Sequence, residues 1–272
     1  MASNAIEIRP VTPRIGAEIF GIDLNQPLSD QEFQTIHQAL MDHLVIFFRD
    51  QDLTPQAQMA FGARFGRLHI HPAAPSVPGF PEAMIIHADA NSTYVNGESW
   101  HSDVSCEEEP PMGSILRIHT LPEIGGDTLF ANMYAAFETL SAPMQTLLRG
   151  LTAVHDGELL YRGRYTGNDA GRVYPKATHP VIRTHPVTGR PALFVNSFFT
   201  SRIVELSKAE SDALLAFLFR HIETPEFACR FRWQKNSVAF WDNRSAQHHA
   251  LWDYFPATRS GVRVTICGDK PY

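Results

Sequence analysis

"FACRFRW", residues 227–233, is where the fold becomes readable. Phe227, Cys229, Phe231 and Trp233 fall on one side of an extended chain, and Arg230 and Arg232 fall on the other. That alternation is the mark of a half-buried strand. Working outward, "AEIFGIDL" (17–24), "VIFF" (45–48), "AMIIHAD" (83–89), "ILRIHTL" (115–121), "LTAVHD" (151–156), "PVIRTH" (180–185), "PALFVN" (191–196), "SVAFWDN" (237–243) and "VRVTIC" (262–267) read the same way. Helices are fewer. "LSDQEFQTIHQALMDHL" pairs Ser29 with Glu32 in a capping box, ahead of a stripe of Phe33, Ile36, Leu40 and Leu44. "LSKAESDALLAFLFRHI" repeats the box with Ser207 and Glu210, and places Leu214, Leu218 and Ile222 on one face. "LTPQAQMAFGARFG" starts at Thr54–Pro55 and stops by Gly66, and "SAPMQTLLRG" (141–150) is a shorter candidate. The pattern predicts a mostly β chain with added helices, a β-sandwich or jelly roll.

Repeats, low-complexity segments and linkers are absent, so residues 1–272 read as a single domain. The polar, Gly-rich segment 157–178 lacks a pattern and reads as a lid or binding loop. A net charge of −6 gives no basic footprint for nucleic acid. Cys106, Cys229 and Cys267 are odd in number and widely spaced, which argues against a disulfide framework and for a reducing, cytoplasmic setting. "MASNAIEIRPVTP" lacks a secretory pattern, and the chain holds no apolar run of membrane-spanning length.

The chemistry is concentrated in "SWHSDVSCEEEPP" (99–111). In a strand, His101 and Asp103 point to the same face and can aim an imidazole and a carboxylate at one metal. A further ligand is available in "AFWDNRSAQHHALWDYF", where the adjacent His248 and His249 must face opposite ways, so only one can join. Two imidazoles and a carboxylate on one side of a metal are the facial triad of non-haem Fe(II) oxygenases. Zinc hydrolases use a similar set, usually from a helical H-E-x-x-H, which is absent here. Read alone, Arg259 and Arg263 are solvated strand-end arginines. "CEEEPP" reads as a solvated acidic turn. His37, His43, His179 and His185 read as structural or solvated, and Trp100 and Trp241 as packing around the site.

The pieces "RFGRLHIHP", "SWHSDVS", "GGDTLF", "THPVTGRPALFVNSFFTSRI", "WDNRSAQHHA" and "RSGVRVTICGDKP" run in order along nearly the whole chain. With them the sequence resembles the taurine dioxygenase / 2,4-dichlorophenoxyacetate dioxygenase family of Fe(II)- and 2-oxoglutarate-dependent dioxygenases. The resemblance implies a double-stranded β-helix, the jelly-roll variant of the strand reading. It implies His101, Asp103 and His248 as iron ligands, with His249 turned away. It implies that Thr128 and Arg259 bind 2-oxoglutarate, and that His71, Phe199 and Arg263 meet the substrate. The implied reaction uses Fe(II), 2-oxoglutarate and O2 to hydroxylate a C–H of a small anionic organic substrate. In taurine enzymes the hydroxylated carbon bears the sulfonate, and the product collapses to an aldehyde and sulfite. Family analogy also suggests a homo-oligomer, dimer or tetramer, without nucleic-acid or membrane partners.

Two positions depart from the taurine pattern. Ala74 stands where those enzymes carry a Tyr, and Gly97 where they carry an Asn, with Asn96 beside it. The substitutions point to a roomier pocket that still binds an anion: a larger sulfonate, an alkyl sulfate or a carboxylic acid. Taurine itself stays open, with Asn96 supplying the missing amide. The other readings are a non-catalytic jelly-roll anion-binding protein and a zinc hydrolase.

Overall fold

The computed structural model describes residues 6–164 and 171–272. Its main sheet runs Glu7–Pro10, Ala17–Phe20, Val45–Phe48, Ser237–Asp242, Gly113–Thr120, Arg259–Ile266, Phe80–Ala88 and Ser76–Val77, with Leu68–His69 added alongside Arg259–Ile266. Facing it is a smaller sheet in which Thr128–Asn132 lies between Ala228–Phe231 and Ala246–Ala250. A third sheet joins Lys176–Pro180, Thr152–Asp156 and Thr200–Ile203, and a hairpin pairs Ile182–Thr184 with Pro191–Leu193. The architecture is the expected jelly roll with added helices.

The unbroken apolar run in "SVAFWDN" reflects burial on both faces. Val238 and Phe240 point toward the helices Asp30–His43 and Pro55–Ala63, where they meet Ile36, Leu40 and Phe61. Ala239 and Trp241 point inward, toward the smaller sheet. Phe47 of the main sheet stacks on Phe231 of the smaller one, with ring centres 3.9 Å apart and planes 4° from parallel. Close-packed aromatic pairs of this kind tie the two layers into one core. Phe227, Cys229, Phe231 and Trp233 are all buried, and Arg230 and Arg232 are exposed, as the alternation required.

Both capping boxes form. The Ser29 hydroxyl accepts from the Glu32 amide, and the Glu32 carboxylate accepts from the Ser29 amide, with the same reciprocal pair at Ser207 and Glu210. In the helix Lys208–Ile222 the buried stripe is Ser211, Leu215, Leu218 and Ile222, so Leu215 takes the core position that the sequence assigned to Leu214. The strand expected over 17–24 stops at Phe20, because Gly21 turns the chain with a φ of 81°.

The segment 157–178 is less irregular than its composition suggests. Glu158–Tyr161 is a short helix and Lys176 opens a strand. Tyr161 is buried against Val104, Cys106 and Phe199, which gives the helix a tertiary anchor that local pattern does not reveal. Residues 165–170 of the expected lid lie outside the described residues. Among the described residues no helix is long and apolar enough to cross a membrane.

Candidate active site

The site sits between the two sheets, on the inner face of the smaller one. Adjacent antiparallel strands hold His248 opposite Phe130 and Ala250 opposite Thr128, so His248 and Thr128 share that face. His249 points the other way and meets the Trp100 ring. His101 is tied to His248 by two reciprocal backbone hydrogen bonds, of 3.1 Å from the His101 amide and 2.9 Å from the His248 amide. Asp103 follows on the same chain segment. Its Oδ1 lies 3.6 Å from Nε2 of His101 and 4.0 Å from Nε2 of His248. The three ligand atoms fall within 4.8 Å of one another, the one such grouping of His, Cys, Asp or Glu among the described residues.

The supporting contacts fix what each ligand offers. Nδ1 of His101 donates to the Ser99 carbonyl at 2.8 Å, which leaves the Nε2 lone pair aimed inward. Burial, helped by the neighbouring His101, pushes His248 well below the usual histidine range and keeps it neutral. Burial alone would push the Asp103 carboxyl up. The Arg263 guanidinium, with His248 and His101, outweighs it and holds the carboxylate well below its usual range. Asp103 Oδ2 accepts from the Ser114 hydroxyl at 2.7 Å. Asn243 donates to that hydroxyl at 3.1 Å, and its carbonyl oxygen accepts from the Asp103 amide and the Trp241 indole. The turn "WDNR" therefore orients the carboxylate through Asn243 and Ser114. Asp242 is committed elsewhere, to Arg244 and His185. Two imidazoles and one oriented carboxylate on one side of a pocket fit a divalent iron, with positions left for further ligands.

Arg259 and Arg263 are buried, at 4% and 7% exposure, which overturns the reading of them as solvated strand ends. Arg263 donates to Asp103 Oδ1 at 2.5 Å, and its Nη2 approaches the Met84 sulfur. Arg259 has no acid within ion-pair reach among the described residues. It donates to the Gly126 carbonyl at 3.0 Å, lies 3.5 Å from the Thr128 hydroxyl and covers the Trp233 ring. Burial lowers its pKa. A buried, unpaired guanidinium is costly unless an anion joins it, and a carboxylate is the matching shape. The "GGDT" motif acquires a physical reason here. Gly126 has a φ of 75°, and a side chain at that position would meet Arg259 Cδ at 3.1 Å.

The remaining expected residues converge on the same pocket: His71, Asn96 and Phe199 all line it. His71 Nδ1 accepts from the Ala73 and Ala74 amides. Burial, then Arg263, pushes its pKa down to about 3, so it presents a neutral N–H. Gly97 has a φ of 86°, and an added side-chain carbon would touch His101 Cε1 at 3.1 Å. Its small size thus belongs to the seating of the ligand. Ala74 packs into the main core, and Tyr161 supplies an aromatic wall against His71 and Phe199. The enclosed space is about 50 Å³.

Sequence reading missed Ser114, Leu160, Tyr161, Arg164 and Phe198. Ser114 opens an otherwise apolar strand, and nothing in its spacing marks it. Phe198 adjoins the expected Phe199, and both line the pocket because their loop does not alternate. Trp100 and Trp241 pack as expected, Trp241 with its ring 4.5 Å from that of His248. Within "CEEEPP", Glu108 and Glu109 are solvated, and Glu107 bonds His69.

Comparison with known proteins places this geometry. Residues 7–265 match the family described as taurine catabolism dioxygenase TauD, TfdA. An alpha-ketoglutarate-dependent sulfate ester dioxygenase of Pseudomonas putida is 37% identical, covering 98% of this chain and 91% of its own. A taurine dioxygenase structure from Burkholderia xenovorans is 38% identical, with a TM-score of 0.86 over 98% of this chain and 91% of that one. A structure of AAD-2 in complex with Mn(II) and N-oxalylglycine is 28% identical, with a TM-score of 0.82 over 98% and 99%. The chain therefore belongs to the TauD, TfdA family and is a dioxygenase that uses Fe(II), 2-oxoglutarate and O2.

Proposed function

We propose that the enzyme hydroxylates the carbon bearing a sulfate-ester or sulfonate group on a small, mainly apolar chain. His101, Asp103 and His248 hold the iron. Thr128 and Arg259 hold the far carboxylate of 2-oxoglutarate, and Arg263 with His71 holds the substrate's anionic group. The observation that carries this reading is the pair of buried guanidiniums flanking the His–Asp–His group, one of them without an acid partner among the described residues. The sulfate-ester activity named for the Pseudomonas putida relative supports the substrate class.

When bound, Fe(II) supplies the O2 activation that couples oxidation of 2-oxoglutarate to succinate and CO2 with hydroxylation of the substrate. The chain's residues do the rest. Arg259 offers a bidentate, permanently charged fork at the end of a dry pocket. The Thr128 hydroxyl, which accepts from the Trp233 indole at 2.9 Å, has its own hydrogen left to donate. His71 donates a neutral N–H and Arg263 a charge, which together fix an anion close to the iron ligands. Leu160, Tyr161, Phe198 and Phe199 exclude water around the reacting carbon.

The test is an anaerobic visible titration of the protein loaded with Fe(II) and 2-oxoglutarate, using alkyl sulfates, alkanesulfonates and aryloxyacetates. A charge-transfer band that shifts with sulfates or sulfonates, together with substrate-dependent succinate release, is the expected result. A shift with aryloxyacetates alone would replace the substrate class. The Ser114 contact gives a second expectation. Ser114→Ala removes the hydrogen bond that orients Asp103, and should weaken Fe(II) binding about 10- to 100-fold while leaving the fold intact. Metal titration followed by circular dichroism checks both halves.

A further inference from the structure

The pocket has a direction. At its buried end lie Asp103 and Arg263, with side chains 3% and 8% exposed, and toward solvent lies Arg164, 23% exposed. An anionic group held by Arg263 therefore sends the rest of its molecule toward Arg164, Leu160 and Phe198. Arg164 is fixed there from several sides. Its Nη2 donates to Glu98 at 2.6 Å, its guanidinium lies over the Tyr94 ring at 5.0 Å, and the Tyr94 hydroxyl donates to its carbonyl. Glu98 itself does not line the pocket. Among the described lining residues Asp103 is the one acid, against Arg164, Arg259 and Arg263.

We propose that Arg164 sets the charge of the substrate's far end, admitting apolar or anionic tails and rejecting an ammonium tail. The inference rests on the reading that Arg263 anchors a sulfate or sulfonate. An ammonium arriving at the outer end meets a guanidinium of like sign that is partly exposed, while its counter-ion Glu98 lies outside the pocket lining. Among the described lining residues the one acid is already engaged by Arg263 and aimed at the iron position, so it offers the ammonium no compensation. A methyl group in the same place meets Leu160 and Phe198 and loses nothing.

Propane-1-sulfonate and 2-aminoethanesulfonate make the comparison clean, because they differ only in a terminal CH3 or NH3+. The readouts are the ratio of kcat/KM for the pair, and the ratio of their dissociation constants by calorimetry on one preparation. A loss of folded protein cancels from both ratios. The wild type should favour propane-1-sulfonate by about tenfold or more, the size of a modest like-charge penalty. Arg164→Lys should keep that preference, and Arg164→Gln should bring it toward parity. A wild-type ratio near one, or an Arg164→Gln ratio equal to wild type, would overturn the proposal with the sulfonate reading intact. If neither compound nor any alkyl sulfate binds or turns over while a carboxylic acid does, the anchoring reading fails and takes the proposal with it.

Discussion

Arg259→Met will raise the 2-oxoglutarate concentration needed for half-saturation by about 30-fold or more, and will not lower thermal stability. The two halves of this expectation have one cause. Arg259 is buried, has no acid partner among the described residues and carries a pKa lowered by burial. In the free protein its charge is a burden, eased by the Gly126 carbonyl, the Thr128 hydroxyl and the Trp233 ring. Replacing a desolvated charge by a side chain of similar volume is often neutral or stabilising. With 2-oxoglutarate bound the sign reverses, because truncating one partner of a buried charge pair costs about 2–5 kcal/mol. Steady-state kinetics against 2-oxoglutarate, with melting curves in its absence, test both. An unchanged half-saturation would remove Arg259 from the co-substrate site. A fall in melting temperature would mean that its fixed contacts outweigh its desolvation.

Asp103→Asn is expected to be more severe, with turnover falling at least about 1,000-fold and Fe(II) affinity at least about 100-fold, since a first ligand is lost together with its charge. It should also destabilise the protein by about 3–5 kcal/mol, because the Arg263 guanidinium is then buried without a counter-charge. The double variant Asp103→Asn, Arg263→Met separates these effects. Stability should return in large part, since the two residues form one buried pair, while turnover should not. Denaturant unfolding and succinate release, measured on the wild type, Asp103→Asn, Arg263→Met and the double variant, give the cycle. Equal stability of Asp103→Asn and the double variant would show that Arg263 does not depend on Asp103 in the folded state.

The parts of this molecule legible in the sequence were those governed by local rules. Period-two alternation located Phe227–Trp233, and the capping boxes at Ser29 and Ser207 located two helices, because a strand face and a helix start depend on a few neighbouring residues. His101 and Asp103 do converge as expected, but not on one strand face: His101 makes an isolated bridge to His248 and Asp103 lies in the turn that follows. Long-range burial was not legible. Arg259 and Arg263 look like surface arginines until the main sheet turns them onto the inner face. Tyr161 sits in a segment with no pattern, and only its contacts with Phe199 and His71 reveal a wall. Reading pocket size from Ala74 left out Tyr161, which reaches His71 from another element. The choice of His248 over His249 needed the family pattern, and the strand register agrees with it: His248 lies opposite Phe130 on the inner face.

The reciprocal backbone bridge between His101 and His248 carries a thermodynamic consequence. Closing a loop on the order of a hundred residues costs a flexible chain on the order of 4 kcal/mol in configurational entropy. Here two ordinary amide–carbonyl bonds, set within the sheets that surround them, hold that loop closed. The metal need not supply this closure, so its binding energy remains available for holding the ion and for discriminating among ions. Removing iron with a chelator should accordingly leave the chain folded and its amides in this region protected. Adding iron back should raise stability only by the mass-action amount set by its concentration over its dissociation constant.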